Sequence, residues 1–161
     1  MPGRGLAVAA LVVLADQLAK AWILGFAEGT LPVLVPPFSW FFSLVLTRNR
    51  GMSFGLFNTD GALNTVVFTA LAAVIVGALI VWLKGVRQTL LALALGLVIG
   101  GAVGNVVDRL WRGAVIDFIE MHLAAWRFPW IFNVADAAIS IGVALMVIDS
   151  LLGRGKTPNP S

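Results

Sequence analysis

The sequence predicts an all-α membrane protein with four transmembrane helices. Of its 161 residues, 60% are hydrophobic and only 12% are charged. A soluble domain of this size could not bury that much apolar surface, and a disordered chain would be far more polar. The apolar residues also fall into four segments, each close to the roughly 20 residues that cross a bilayer as a helix. Lipid is therefore the predicted surrounding of most of the chain.

The four predicted spans cover about residues 6–24, 62–83, 89–107 and 131–150. The second and third contain no charged residue, whereas ionisable groups interrupt the first and the fourth. The first is predicted to be a span rather than a cleaved signal peptide, because its apolar run continues past Lys20 without a small-residue cleavage site. We expect residues 1–153 to form a single four-span domain and residues 154–161 to form a disordered cytoplasmic tail.

The connections between the spans are unequal. A tight turn joins the second and third spans, whereas residues 25–61 and 108–130 form two long loops on the opposite face. Alternating residues near 30–35 and 42–47 predict short strands in the first long loop. Lys and Arg in the tight turn and near both chain ends favour a cytoplasmic position for those regions, although the long loops contain five arginines of their own.

The residue types present exclude several kinds of site. The chain has no cysteine and a single histidine, His122. Thiolate metal sites, multi-histidine metal sites and a cysteine nucleophile are therefore excluded. We predict neither a metal nor any other cofactor. The basic residues are scattered rather than gathered on one dense face, so a nucleic-acid partner is not predicted either.

Four acidic residues stand out because they map to the outer half of the membrane, where an ionisable group is costly and usually functional. Asp16 can pair with Lys20 four residues later on the same helix face. Asp108 followed by Arg109 indicates an ion pair at a helix end. Direct chemistry by Asp16 or Asp108 stays open beside these supporting roles. The four residues are Asp16, Asp108, Asp117 and Asp136.

Asp117 and Asp136 differ from the other two because no basic residue lies within four positions of either. Two carboxyl groups that face each other in a low-dielectric site cannot both ionise easily, so one keeps its proton. The ionised member can then activate a water while the protonated member polarises a carbonyl, which is the chemistry of aspartic proteases. The same carboxylates would also suit a small proton-coupled membrane transporter, and the residues alone leave both functions open.

Amides and glycines indicate how such a site is held. Three amides near the same level can hold a carboxylate or a substrate backbone by hydrogen bonds, namely Asn49, Asn105 and Asn133. The third span is also predicted to pack closely against its neighbours, because small residues let helix backbones approach each other in a membrane. Its glycines are Gly96, Gly100, Gly101 and Gly104.

Five short motifs occur in order along the chain. Residues 16–20 are similar to D-Q-x-x-K, 49–55 to N-x-G-x-A-F-G, 100–109 to G-G-A-x-G-N-x-x-D-R, 115–118 to V-x-D-F and 132–136 to F-N-x-A-D. Each motif is weak alone, but five in this order on a four-span chain are specific. On these motifs the sequence resembles the bacterial lipoprotein signal peptidases, also called signal peptidase II.

The resemblance implies an aspartic endopeptidase of the bacterial inner membrane. Members of this family remove signal peptides from prolipoproteins that carry a diacylglyceryl cysteine, and they cut just before that cysteine. Motif positions assign the catalytic pair to Asp117 and Asp136. Residues 25–61 would form the family's periplasmic β-cradle, with the active site toward the periplasmic face and both termini in the cytoplasm. Prolipoprotein substrates, membrane lipid and a globomycin-type inhibitor are the implied partners.

The resemblance also implies that residues at other motif positions support the site or hold the substrate and the antibiotic globomycin. A direct role of Asp108 is left open by the motifs. Ser53 stands where the family usually has Ala, and Ala137 stands where Ser is common. Both departures leave the two aspartates intact. The implied supporting positions are Asp16, Lys20, Asn49, Gly51, Asn105, Asp108, Arg109, Asn133 and Ala135.

Overall fold

The structure is a computed structural model that describes residues 1–27, 41–50, 61–123 and 126–153. Within these ranges it contains four helices and one three-stranded sheet. The elements in chain order are α1 Pro2–Ala27, β1 Phe42–Asn49, α2 Gly61–Gly85, α3 Thr89–Arg112, β2 Val115–Leu123, β3 Trp126–Phe132 and α4 Val134–Gly153.

All four helices are long and apolar enough to cross a membrane. A helix suits lipid because it satisfies its own backbone hydrogen bonds. Large apolar side chains on the outside of the bundle are exposed, among them Leu11, Val74 and Leu151. In a membrane these side chains contact acyl chains rather than water. The predicted fold class, a mainly helical membrane protein with four spans and a small β element, is confirmed.

Helix α3 lies at the centre of the bundle and packs against the other three helices. Its glycines allow this close approach. A Cβ atom at Gly100 would lie 2.6 Å from the Ala9 carbonyl oxygen of α1, and one at Gly101 would collide with the Ala135 carbonyl oxygen of α4. Side chains at these positions would force the helices apart. The predicted close packing of the glycine face is confirmed.

The sheet lies at the end of the bundle where α3 finishes and α4 begins. Its order is β1-β2-β3, and both pairings are antiparallel. Thr47 on β1 lies opposite Asp117 on β2. An apolar cluster of Ile23, Leu44 and Ile116 joins the sheet to the outer end of α1. Because this cluster is buried, the position of β2 is fixed against the helices.

The described parts of the two long loops contain more strands than the sequence pattern predicts. The alternation near 42–47 corresponds to β1, whereas the strand predicted near 30–35 lies outside the described residues, as does the tail 154–161. In the second long loop, for which the pattern predicts no strand, the structure has β2 and β3. The first four residues of β2 are all buried, so apolar and polar residues do not alternate there.

Candidate active site

Asp117 and Asp136 are brought together by a single residue, Asn133. The Asn133 side-chain amide donates a hydrogen bond of 2.7 Å to Oδ1 of Asp117. The Asn133 backbone N–H donates a hydrogen bond of 3.3 Å to Oδ2 of Asp136. Asp117 lies on β2 and Asp136 in the first turn of α4. Two carboxyl groups from different elements therefore share one hydrogen-bond donor residue.

Two further amides complete the hydrogen bonding of the pair. Asn49 Nδ2 donates to Oδ2 of Asp117 at 3.1 Å, and Asn105 Nδ2 donates to Oδ1 of Asp136 at 2.8 Å. All four carboxyl oxygens therefore accept a hydrogen bond from a protein donor. Such bonds orient both carboxyl groups without introducing a cation between them.

The beginning of α4 explains the position of Asp136. Asn133 immediately precedes the helix, and its Oδ1 accepts a hydrogen bond of 2.9 Å from the Asp136 backbone N–H. In return, Asp136 Oδ2 accepts the bond from the Asn133 backbone N–H. This reciprocal arrangement is a capping box, with an aspartate in the place of the usual Glu or Gln. A helix N-terminus also favours a negative charge at this position.

The electrostatic setting of Asp117 favours a retained proton. Burial, followed by the nearby charge of Asp136, raises the pKa of Asp117 from 3.8 to about 6. The hydrogen bonds from Asn49 and Asn133 and the charge of Lys20 act in the opposite direction. A carboxyl group with this pKa can both release and accept a proton near neutral pH.

An ion cluster lies next to the two carboxyl groups, and its central residues Asp16, Lys20 and Asp108 are fully buried. Lys20 Nζ lies 2.7 Å from Oδ2 of Asp16 and 2.7 Å from Oδ2 of Asp108. Asp108 also pairs with Arg112, and Gln17 Nε2 donates to Asp16 at 3.2 Å and to Asp108 at 3.1 Å. Each buried charge thus has an opposite partner, without which burial would be strongly unfavourable.

This cluster reaches the backbone beside each candidate catalytic residue. Oδ1 of Asp16 accepts a hydrogen bond of 2.9 Å from the backbone N–H of Ala135, which precedes Asp136. Oδ2 of Asp108 accepts one of 3.1 Å from the backbone N–H of Ile116, which precedes Asp117. Lys20 lies between the carboxylates of Asp16 and Asp108. One cation therefore links the two side chains that hold the backbone next to Asp136 and Asp117.

The structure corrects the predicted Asp108–Arg109 ion pair. Asp108 pairs with Lys20 and with Arg112 instead. The Arg109 guanidinium donates to the backbone oxygen of Asn105 at 3.4 Å and lies over the Phe68 ring. Adjacent residues of a helix project about 100° apart, whereas residues four apart share a face. Arg112, four residues after Asp108, is therefore the partner that helix geometry favours.

Two members of the cluster are absent from the predicted site. Gln17 and Arg112 both contact Asp108, and Arg112 donates to Gln17 Oε1 at 2.8 Å. Gln17 could have been found because it is the second residue of the motif at 16–20, and Arg112 from its i, i+4 spacing. Gly51 lies outside the described residues. The other implied supporting positions lie near the two aspartates or in the ion cluster.

Two cavities border the aspartate pair and share Trp130. One, of about 380 Å³, extends from Asp136 between β3 and α4 and is lined by the aromatic rings of β3 and by Ile141. The other, of about 440 Å³, extends from Asp117 along β1 and is lined by Arg48 and Arg50. The pair thus has an apolar space on one side and a basic one on the other. In the part of the chain that the structure describes, no group of His, Cys, Asp and Glu could hold a metal ion.

Comparison with known proteins decides the family. The sequence model of signal peptidase (SPase) II matches residues 8–152. The chain belongs to the signal peptidase II family. Family membership makes it a protease of the aspartic class and does not support the transporter alternative.

Relatives of similar length agree with the signal peptidase II assignment. The chain is 41% identical to a lipoprotein signal peptidase of Caulobacter vibrioides over 153 residues, which cover 92% of this chain and 86% of that one. It is 40% identical to one of Rhodopseudomonas palustris over 159 residues, covering 97% and 96% of the two chains. For one of Burkholderia ambifaria the identity is 45% over 151 residues, covering 91% and 86%.

Solved structures share the signal peptidase II fold found here. A bacterial membrane enzyme solved by the in meso method at 2.3 Å resolution superposes with a TM-score of 0.77 at 26% identity, covering 99% of this chain and 94% of that one. A second bacterial membrane enzyme, solved by the same method at 1.9 Å, gives a TM-score of 0.77 at 28% identity, with coverage of 92% and 93%. The protein is therefore a multi-pass membrane protein.

Proposed function

We propose that the chain removes signal peptides from diacylglyceryl-modified prolipoproteins in the bacterial inner membrane. It cuts the peptide bond just before the lipidated cysteine, with Asp117 and Asp136 as the catalytic residues. Family membership supports the reaction class. The observation that carries the site is the bridge by Asn133, which donates to Asp117 at 2.7 Å and to Asp136 at 3.3 Å.

The two carboxyl groups take different roles in the proposed mechanism. Asp117 holds the shared proton, because burial and the charge of Asp136 raise the pKa of Asp117 to about 6. Asp136, in the first turn of α4, acts as the general base and accepts a hydrogen bond of 2.8 Å from Asn105. Asp136 removes a proton from the attacking water while Asp117 donates its proton to the carbonyl oxygen of the scissile bond. The product of this step is a neutral gem-diol.

Collapse of the gem-diol completes the reaction. Asp117 takes back a hydroxyl proton as the carbonyl re-forms, and the proton held by Asp136 passes to the nitrogen of the departing cysteine. The C–N bond breaks as the carbonyl re-forms, and both carboxyl groups return to their starting states. Asn105 and Asn133 keep the pair oriented throughout, and Arg109, whose guanidinium donates to the Asn105 backbone oxygen, takes the role of binding a substrate carbonyl.

Asp108 has a supporting role in this mechanism rather than a direct one. Its side chain is fully buried, it pairs with Lys20 and Arg112, and it accepts the Ile116 backbone N–H. Both oxygens of its carboxylate are already engaged by these partners. Asp108 therefore fixes β2 beside Asp117 and does not exchange protons with substrate.

The test is cleavage of a synthetic diacylglyceryl prolipoprotein by the purified chain in detergent. We expect the wild type to cut before the cysteine and both Asp117→Asn and Asp136→Asn to lose at least about a hundredfold in kcat. Asp149→Asn, at the other end of α4, is the matched control and should keep its activity. Thermal transitions would establish that each variant is folded. A folded Asp117→Asn or Asp136→Asn variant with substantial activity would refute the site and make Asp108 the next candidate.

A further inference from the structure

The basic cavity beside Asp117 has a feature that peptide-bond hydrolysis does not require. Arg48 at the end of β1 and Arg50 just after it line this space of about 440 Å³. Both residues are exposed at the protein surface. Asp117 is the only acidic residue among its described lining residues, the others being Thr47, Asn49, Pro129, Trp130 and Ile131.

Neither guanidinium has a partner among the described residues. Arg112 pairs with Asp108 and Arg127 pairs with Glu120, but Arg48 and Arg50 form no ion pair or hydrogen bond there. Neither guanidinium forms an ion pair with Asp117, although all three residues line the same cavity. They therefore remain available to a group that enters the cavity away from the scissile bond.

The two cavities differ in the part of a substrate that they fit. The space beside Asp136 is lined by Phe128, Trp130, Phe132 and Ile141 and suits apolar groups. The acyl chains and the signal peptide of a prolipoprotein are apolar, whereas the chain beyond the lipidated cysteine is polar. Placing apolar groups against unpaired guanidiniums would desolvate charges without compensation. The basic cavity therefore fits the segment that follows the cysteine.

Building on the proposed function, we propose that Arg48 and Arg50 form a subsite for an acidic side chain in the residues immediately after the lipidated cysteine. A guanidinium binds a carboxylate through two parallel N–H donors, which gives both attraction and orientation. Because both arginines are exposed, added salt weakens the attraction. The subsite makes this chain prefer substrates with acidic residues next to the cut.

The test compares three synthetic diacylglyceryl peptides that differ only in the two residues after the cysteine. These residues are Asp-Glu, the isosteric amides Asn-Gln, or Lys-Lys. The full-length chain is assayed in vesicles of zwitterionic phosphatidylcholine, so that anionic headgroups do not compete. We expect kcat/KM for the acidic peptide to exceed that for the amide peptide by about threefold to tenfold at low salt, as for one or two exposed ion pairs. The difference should lie mainly in KM and shrink as salt is added.

Arginine variants show whether the preference comes from this cavity. In Arg48→Gln/Arg50→Gln the ratio of kcat/KM for the acidic over the amide peptide should fall to about one. Arg127→Gln, which removes an exposed arginine from β3 that lines neither cavity, should keep the wild-type ratio. An equal ratio for both peptides in the wild type, or an unchanged ratio in the double variant, would overturn the subsite.

The same peptides distinguish an acidic-residue subsite from binding of lipid headgroups and from failure of the proposed function. If Arg48→Gln/Arg50→Gln raises KM equally for all three peptides, and only in vesicles of anionic lipid, the arginines bind headgroups and the subsite is refuted. If the wild type cuts the amide peptide but shows no charge preference, the proposed function stands and the subsite is refuted. If the wild type cuts none of the three peptides, the proposed function fails and the subsite fails with it.

Discussion

At the residue scale, Lys20 pairs with the two buried carboxylates, Asp16 and Asp108, that position the candidate catalytic residues. Asp16 and Asp108 accept hydrogen bonds from the backbone N–H of the residues that precede Asp136 and Asp117, respectively. Lys20 Nζ lies 2.7 Å from Oδ2 of both carboxylates. The spacing of Asp117 and Asp136 thus depends on a single buried cation as well as on Asn133. A substitution at Lys20 would displace β2 and α4 relative to each other.

Replacing Lys20 should destabilise the protein strongly. Lys20→Met leaves Asp16 and Asp108 buried without the cation between them, and breaking a buried pair in this way costs about 3–5 kcal/mol. We expect a marked fall in the thermal midpoint in detergent. Arg127→Gln breaks the exposed pair with Glu120 and should cost less than about 1 kcal/mol. Equal midpoints for the two variants would contradict the supporting role of the cluster.

The pH dependence of cleavage should report the proton on Asp117. Its pKa of about 6 means that kcat/KM falls as the pH rises through that value, because the pair then loses its shared proton. Asn49 donates to the ionised carboxylate and so lowers this pKa. In Asn49→Leu the pKa should rise, and the falling limb should move to higher pH.

A control on the same strand tests the pH interpretation. Ser43 on β1 contacts His122 rather than Asp117, so Ser43→Ala should leave the pH profile where it is. Full pH profiles of kcat/KM for both variants are the measurement. A limb that stays in place in Asn49→Leu, or that moves to lower pH, would argue against Asp117 as the proton holder.

Single residues also show how far the sequence predicts the site. The Asp16–Lys20 pair follows from its spacing within one helix. The Lys20–Asp108 pair does not, because it joins two helices whose contact depends on packing. The Asp108–Arg109 prediction is wrong because neighbours on a helix point in different directions. The pattern selects Asp117 and Asp136 by residue type and depth and also singles out the three amides, but which carboxyl oxygen each amide holds becomes visible only in the folded chain.

At the scale of elements, the helices follow from composition and β1 from its alternation, whereas β2 and β3 do not follow from the local sequence. Each span is an apolar run of sufficient length, which depends only on the local sequence. Strands β2 and β3 form because β2 pairs with β1 on one side and β3 on the other. This pairing is non-local, and the buried start of β2 hides its alternation. The missed strands matter for function, since β2 carries Asp117.

The glycine face of α3 should tolerate no side chain where α4 crosses it. A Cβ at Gly101 would collide with the Ala135 carbonyl oxygen, next to Asp136. Gly101→Ala should therefore cost about 1–3 kcal/mol through overpacking and should reduce cleavage by displacing Asp136. An added Cβ at Gly77 on α2 would meet no neighbouring element of the described chain within 4 Å, so Gly77→Ala should be neutral or slightly stabilising because Ala favours helix. Thermal midpoints and kcat in detergent check both, and a Gly101→Ala variant that matches Gly77→Ala in stability and kcat would contradict this packing.

At the scale of the whole molecule, the charged groups inside the bundle gather at one end. Asp16, Lys20 and Asp108 lie near the sheet, whereas Lys84 in the last turn of α2 and Arg87 in the turn between α2 and α3 lie at the opposite end. With four spans, this turn and both chain ends share one face of the membrane. Because Lys and Arg accumulate on the cytoplasmic side, we expect the sheet and the aspartate pair to face the periplasm.

Cysteine labelling would test this orientation directly, because the chain contains no cysteine of its own. Arg127 on β3 and Arg87 in the α2–α3 turn are both exposed, so Arg127→Cys and Arg87→Cys each place one reactive thiol on one face. In intact cells a membrane-impermeant maleimide should label Arg127→Cys and not Arg87→Cys, and both should react after the membrane is permeabilised. The reverse pattern would place the aspartate pair in the cytoplasm, where the proposed cleavage on the periplasmic side could not occur.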